Sequence, residues 1–256
     1  MRSLMAVGLL AAMSTAQAEQ SLAVSAEHID YSGQFGERNV KGLEYIYKSG
    51  ANSLVVDLYH GTREFDKGQK FDGQLGLVQY YRKWSDVFST RTVVGGSSDD
   101  PVFVNRVYDQ NFTYGGFRPW TFTLGYRYSK YYGDATAKAW YGDASYYWKR
   151  VIARYQYTHY NVSDLGNSHG HVLSIRAADK QGPGFTQLWL SQGTFLQEYD
   201  WSRATLPGDF RAVALQREQP VTDHVRVNLA LQKTWHDTAL ADYQEVGINA
   251  KLTYAW

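Results

Sequence analysis

The sequence predicts an all-β fold, a transmembrane antiparallel up-and-down β-barrel of about 14 strands, and three observations predict it. Apolar and polar residues alternate with period 2 over stretches of up to about twelve residues, roughly twice the average soluble strand. Hydrophobic residues make up 44% of the 256-residue chain and aromatic residues 16%, yet the mean hydropathy is negative. Beyond the N-terminus no apolar run reaches the roughly 20 residues that a spanning helix needs.

The first element is an address. Arg2 supplies a positive start, Leu4 to Met13 a short apolar stretch, and Ala16-Gln17-Ala18 a small-x-small cleavage pattern, so residues 1–18 read as a cleaved signal peptide. The barrel domain is then 19–256. Cleavage leaves 25 basic and 25 acidic side chains, a balance that argues against a nucleic-acid partner. The absence of cysteine excludes a disulfide framework, a thiolate metal site and a lipid-anchoring cysteine. Together these features predict the outer membrane of a Gram-negative cell.

The strands follow in order. Leu54, Val56 and Leu58 alternate with Val55, Asp57 and Tyr59. Phe122, Leu124, Tyr126 and Tyr128 alternate with Thr123, Gly125, Arg127 and Ser129. Val151, Ala153, Tyr155 and Tyr157 alternate with Ile152, Arg154, Gln156 and Thr158. His171, Leu173, Ile175 and Ala177 alternate with Val172, Ser174 and Arg176. Val225, Val227, Leu229 and Leu231 alternate with Arg226, Asn228, Ala230 and Gln232. The last segment is clearest, with Val246, Ile248, Ala250, Leu252 and Tyr254 on one face and Glu245, Gly247, Asn249, Lys251 and Thr253 on the other. Both faces look mixed near Val78, Val104 and Trp140.

Tight connections near residues 49–52, 84–86, 116–119, 148–150, 180–184 and 220–223 alternate with mostly longer ones near 32–36, 64–70, 97–101, 132–135, 161–169, 194–208 and 236–242. That division yields 14 strands with both termini on the short-turn side, which faces the periplasm in outer-membrane barrels. The count falls to 12 if the mixed segments near Val104 and Trp140 do not span. Tyr45, Tyr47, Tyr126, Tyr128, Tyr155, Tyr157 and Tyr254 suit interfacial girdles, where a ring has one wet and one greasy end. Trp256 ends the alternating last strand with an aromatic residue. Outer-membrane barrels usually end in Phe there, in a strand that the barrel assembly machinery recognises. The surrounding partners are then outer-membrane lipid and lipopolysaccharide.

Several segments resemble the YaiO family of outer-membrane proteins. They are Asp99-Pro101-Val102-Phe103, Gly125-Tyr126-Arg127-Tyr128 with Lys130-Tyr131-Tyr132, Arg154 to Tyr160, Gly184 to Ser191, and Tyr199-Asp200-Trp201. The resemblance runs along nearly the whole mature chain and implies a single-domain outer-membrane barrel. Related barrel domains occur in proteins associated with exopolysaccharide export, so a polysaccharide or an export partner is an expectation that follows from the resemblance.

Projecting the wet face of each strand inward puts Arg63, Arg91, Arg127, Arg154, Arg176, Arg226 and Lys251 in the lumen, with Glu44, Asp57, Asp109, Asp143, Glu218 and Glu245. The lumen-lining candidates singled out are Arg91, Arg127, Arg154, Arg176, Asp57 and Glu44. The four arginines form one basic wall, which suits a pore with a transverse field or a sugar channel. The competing arrangement is internal salt bridging that closes the barrel. The loop Thr194 to Gly208 is the best candidate for a plug or lid, with an ordinary surface loop the favoured alternative.

Catalytic constellations are weak. His171 and Ser174 are three apart on one strand and so face opposite ways, Ser168 beside His169 lacks an orienting group, and Asp99, Asp100, His236 and Asp237 lie on non-adjacent loops. His159, His169 and His171 offer only a loop metal pairing. The expectation is no enzyme, no cofactor and no metal. The sequence points to a passive pore or conduit for a saccharide-like solute, with a closed structural barrel whose loops bind a partner or phage as the alternative.

Overall fold

The computed structural model describes residues 19–66, 68–98, 101–163, 166–197, 206–238 and 242–256. The signal segment, the Tyr199-Asp200-Trp201 triplet and the Asp99-Asp100 pair lie outside the described residues. Fourteen strands follow in chain order: β1 (Glu19–Tyr31), β2 (Glu37–Ser49), β3 (Asn52–Glu64), β4 (Lys70–Lys83), β5 (Phe88–Ser97), β6 (Arg106–Phe117) and β7 (Trp120–Lys130). Then come β8 (Thr136–Trp148), β9 (Val151–Val162), β10 (Gly166–Ala178), β11 (Phe185–Gln197), β12 (Leu206–Pro220), β13 (Val225–Thr238) and β14 (Asp242–Ala255). A short 3-10 turn at Tyr132–Asp134 precedes β8.

Every strand pairs antiparallel with its chain neighbours, and β1 pairs with β14 to close the barrel. The seam runs in register from Ser21 opposite Ala255 to Tyr31 opposite Glu245. It extends through Trp256, whose N–H donates to the Gln20 carbonyl at 3.0 Å while Gln20 returns the bond at 3.2 Å. Closure is required because lipid offers no partner to an unpaired N–H or C=O, each costing several kcal/mol. A strand of 13 residues such as β3 is about 44 Å long at about 3.4 Å per residue. Tilted by about 40°, it rises about 34 Å, enough to cover the apolar band of an outer-membrane barrel.

Alternation sorts the side chains. Leu58, Leu124, Leu173, Ile175, Leu215, Leu229, Leu231, Val246, Ile248 and Leu252 stand exposed on the outer face. In water this would be a continuous apolar patch far larger than a monomer tolerates; in a bilayer it is the contact with acyl chains. Trp84, Phe117, Trp120, Trp148 and Trp256 crowd the short-turn rim of that face. Trp120 packs on Tyr146 at 4.8 Å and Tyr126 on Trp140 at 4.7 Å.

The mixed segments now resolve. Val78 and Trp140 belong to spanning strands, β4 and β8. Val104 belongs to no strand. It lies in the β5–β6 connection, where the apolar run Pro101-Val102-Phe103 turns into the barrel, so the stretch has no alternation to show.

At the short-turn rim, Arg217 donates two hydrogen bonds of 2.6 Å to the Asp179 carboxylate in the β10–β11 turn. That bidentate bond holds the Asp179 carboxyl below its ordinary value of 3.8.

Two outcomes test this fold. Ile248→Arg, on the outer face of β14, lowers the unfolding free energy in vesicles by about 2–4 kcal/mol, whereas Asn249→Arg on the inner face is tolerated. The Asp179 contribution has a defined sign: the folded pKa is depressed, so stabilisation is fully present above pH 3.8 and is lost as pH falls through the native value. In urea titrations the gap between wild type and Asp179→Asn therefore stays constant above about pH 5 and closes in stronger acid.

Candidate functional site in the barrel lumen

The inner faces of the strands carry all thirteen charged groups projected inward by alternation; each sits at an inward register position beside other inward residues, as with Asp57 opposite Glu44 and Asp109 opposite Arg127. How they pair is decided by register. Asp109 on β6 is the hub: Arg91 on β5 reaches it at 2.7 Å, Arg127 on β7 at 2.9 Å, and the Tyr141 hydroxyl on β8 donates at 2.9 Å. Arg154 on β9 donates to Asp143 on β8 at 2.7 Å and to Gln156 at 2.8 Å. Arg176 on β10 lays its guanidinium over the Phe185 ring at 3.7 Å, and no carboxylate pairs with it among the described residues.

The other side of the lumen has its own pairs. Lys251 on β14 reaches Glu44 on β2 at 2.7 Å, and Asp57 on β3 accepts from Gln79 on β4 at 2.8 Å. His236 on β13 bonds Glu245 on β14 at 2.8 Å and stacks on Tyr243 at 4.4 Å. The basic wall expected over β5 to β10 is thus threaded with two carboxylates. The charges are nevertheless unevenly spread: arginines outnumber carboxylates over β5 to β10, while on β14 and β1 to β3 Glu27, Glu44, Asp57 and Glu245 lie among Arg38, Arg63 and Lys251.

These ion pairs join nearby strands, hugging the wall rather than bridging the lumen. They leave a cavity of about 900 Å³ bordered by Arg91, Arg127, Arg154, Arg176, Asn111, Tyr141, Asp143 and Gln156 and reaching down to the short turns at Gly50, Ala51, Ser85 and Asp86. The cavity faces the periplasmic end in the orientation that outer-membrane barrels share. Glu44 and Asp57 are not among the residues that border it.

The loop end is different. Val102 is 0% exposed, and with Phe103 and Val40 it forms an apolar cluster inside the barrel, flanked by Tyr59, Phe71 and Leu75. Room for it comes from Gly61 and Gly73, which face each other across β3 and β4. A Cβ at Gly61 would stand 2.7 Å from the Phe103 ring, and one at Gly73 would stand 3.0 Å from Val102 Cβ. Arg38 holds its guanidinium 5.4 Å over Phe103, and Arg63 lies 3.8 Å over Tyr31. The ends of the candidate plug or lid, 194–208, belong to β11 and β12, and residues 198–205 between them lie outside the described residues. Among the described residues, it is the β5–β6 connection that enters. Its signal in the sequence is an apolar Pro-Val-Phe run among loop residues where polar ones are the norm.

The hydrolase and metal candidates separate. Ser168 faces inward and donates to the Thr194 carbonyl, while its neighbour His169 faces outward. His159 and His169 oppose each other on the outer face, and His171 bonds the Tyr155 hydroxyl at 2.7 Å. Among the described residues no three His, Asp or Glu side chains converge on a metal-sized point. The central features missed from sequence are Tyr141 and Asn111, which complete the Asp109 hub, because a lone inward Tyr or Asn has no pattern of its own.

Two variants probe these arrangements. Asp109→Ala leaves Arg91 and Arg127 facing each other without their shared acceptor and costs about 3 kcal/mol in the unfolding titration, more than Glu218→Ala, whose partner Arg226 sits 3.8 Å away. Gly61→Val drives Phe103 out of its seat, so proteinase K cuts between Ser98 and Arg106 in this variant while the wild-type barrel resists.

Comparison with known proteins places this geometry. The chain covers 95% of its length and 89% of the other's in aligning to the CymD monoaromatic hydrocarbon channel, with TM-score 0.63 and 6% identity. A structure titled bacterial polysaccharide outer membrane secretin aligns over 93% of this chain and 98% of its own, with TM-score 0.61 and 7% identity. OccAB3 of Acinetobacter baumannii aligns over 94% and 100%, with TM-score 0.52 and 7% identity. At such identities the likeness concerns the barrel fold alone. The sequence itself matches the family described as YaiO membrane beta barrel domain over residues 19–200. A closed 14-strand barrel with a lipid-facing apolar girdle and a charged lumen, in a chain so matched, belongs to the YaiO family of outer-membrane β-barrels.

Proposed function

We propose that this outer-membrane barrel is a passive conduit for a saccharide-like solute, linked to exopolysaccharide export. One observation carries the reading: the interior ion pairs run along the wall and leave a polar cavity of about 900 Å³ open toward the short turns. Its lining of Arg, Tyr, Asn, Gln, Ser and Thr side chains offers donors and acceptors suited to hydroxyl-rich solutes and a poor surface for a hydrocarbon. The polysaccharide secretin among the fold neighbours is consistent with that choice.

A second reading has its own observation. The infolded Pro101-Val102-Phe103 loop fills part of the loop-side lumen, as it would in a closed barrel whose outer loops bind a partner or phage. The two readings part in a planar bilayer. The conduit reading expects steady single-channel steps from the refolded barrel, with larger steps when Gly61→Val displaces the loop. Silence from both proteins, each shown to be folded by heat-modifiable gel mobility, sinks the conduit and leaves the closed barrel.

A further inference from the structure

We infer that the lumen cavity selects anionic saccharides, sugars whose carboxylate groups dock on the arginine face of β5, β7, β9 and β10. The inference rests on the conduit reading and names its solute class. Nine charged side chains border the cavity: seven are basic and only Asp86 and Asp143 are acidic. Asp86 is spent on Lys83 at the rim, 2.8 Å away.

The depth of the charges matters as much as their number. The carboxylates of Asp109 and Asp143 are 1% and 2% exposed, while their partners Arg127 and Arg154 keep 49% and 44% of their side-chain surface open. The acids therefore lie against the wall, and the guanidiniums stand between them and the lumen. What a solute meets is the positive layer. The other interior carboxylates lie elsewhere: Glu27, Glu44, Asp57 and Glu245 on β14 and β1 to β3 sit among Arg38, Arg63 and Lys251, and Glu218 on β12 sits beside Arg226, so the excess of positive charge is confined to the β5 to β10 side.

Arg176 and Arg154 form the centre of the docking face. Arg154 is opposite Ser174 and Arg176 opposite Ile152, so the two are diagonal neighbours on β9 and β10, about 7–8 Å apart at Cα and within mutual reach of long side chains. Phe185 supports the Arg176 guanidinium by its face, which leaves the in-plane N–H edge for a ligand. A carboxylate takes two parallel hydrogen bonds from one such edge and a third from the neighbouring arginine. Gln156 and Gln187 border the same pocket and supply partners for sugar hydroxyls. A volume near 900 Å³ lies at the upper end for organic ligands and exceeds the needs of a simple inorganic ion.

The test uses the refolded mature barrel in a planar bilayer under a KCl gradient. Wild type is expected to prefer chloride by about three-fold or more, and Arg154→Ala/Arg176→Ala to fall near unity. Oligogalacturonate should block at about ten-fold lower concentration than a neutral malto-oligosaccharide of equal length, a difference that the double variant loses. Cation preference in wild type, or equal block by both sugars, overturns the anionic assignment while leaving the conduit intact. If the folded barrel passes no current, the conduit reading fails by itself, and calorimetry with oligogalacturonate decides the site. Binding that weakens about ten-fold in the double variant, with neutral sugar inert, supports it; no binding, or binding untouched by the substitutions, overturns it. Arg176→Gln, which removes the charge but keeps a polar hydrogen-bonding side chain, serves if the double variant does not fold.

Discussion

The hydrogen-bonded seam between β1 and β14 is the interaction on which everything else depends. A sheet in lipid can leave no backbone group unpaired, so 14 strands persist in the membrane only as a closed ring. Closure then assigns each residue a side. Once Thr253 faces inward, Leu252 and Tyr254 must face lipid, and the same parity propagates through every register around the barrel. The apolar girdle and the charged lumen are two consequences of one constraint.

The lumen adds a second level of organisation. Buried carboxylates in low dielectric demand partners, and Asp109 and Asp143 obtain theirs from arginines on adjacent strands. Because neighbours on a wall satisfy one another, no pair crosses the barrel among the described residues, and a cavity survives. The same arrangement orients the field, with arginine edges toward the cavity and acids behind them. Function and stability draw on the same residues here: the arginines that neutralise the wall are those a solute would meet.

Much of this was legible beforehand. Period-2 alternation in segments such as 246–254 identified strands, the lipid face and the direction of Arg127 and Arg154 inward, because side-chain parity is a local property of extended chain. The positions of the connections gave the strand count, but not their lengths throughout: β9–β10 and β13–β14 are joined by three residues each because the strands run further than the sequence shows, while the β10–β11 turn has six. Where alternation blurred, two causes separate in the structure. Segments around Val78 and Trp140 are spanning strands with bulky residues on both faces, whereas Val104 sits in a loop that folds inward. A one-dimensional pattern does not distinguish them, since burial inside a barrel and exposure to lipid both favour apolar side chains.

By itself the sequence determined the class of fold, the number of strands, the face each side chain takes and the near balance of charge inside, all of which depend on neighbours within a few residues. Only the tertiary structure decided which charges meet, that Asp109 gathers Arg91, Arg127 and Tyr141, that Arg176 rests on Phe185 without a carboxylate, and that Val102 and Phe103 sit against Gly61 and Gly73. The reason is register and curvature. Which inward groups come within 3 Å depends on how neighbouring strands slide past one another and on how the ring closes, and neither is written in the alternation of a single strand.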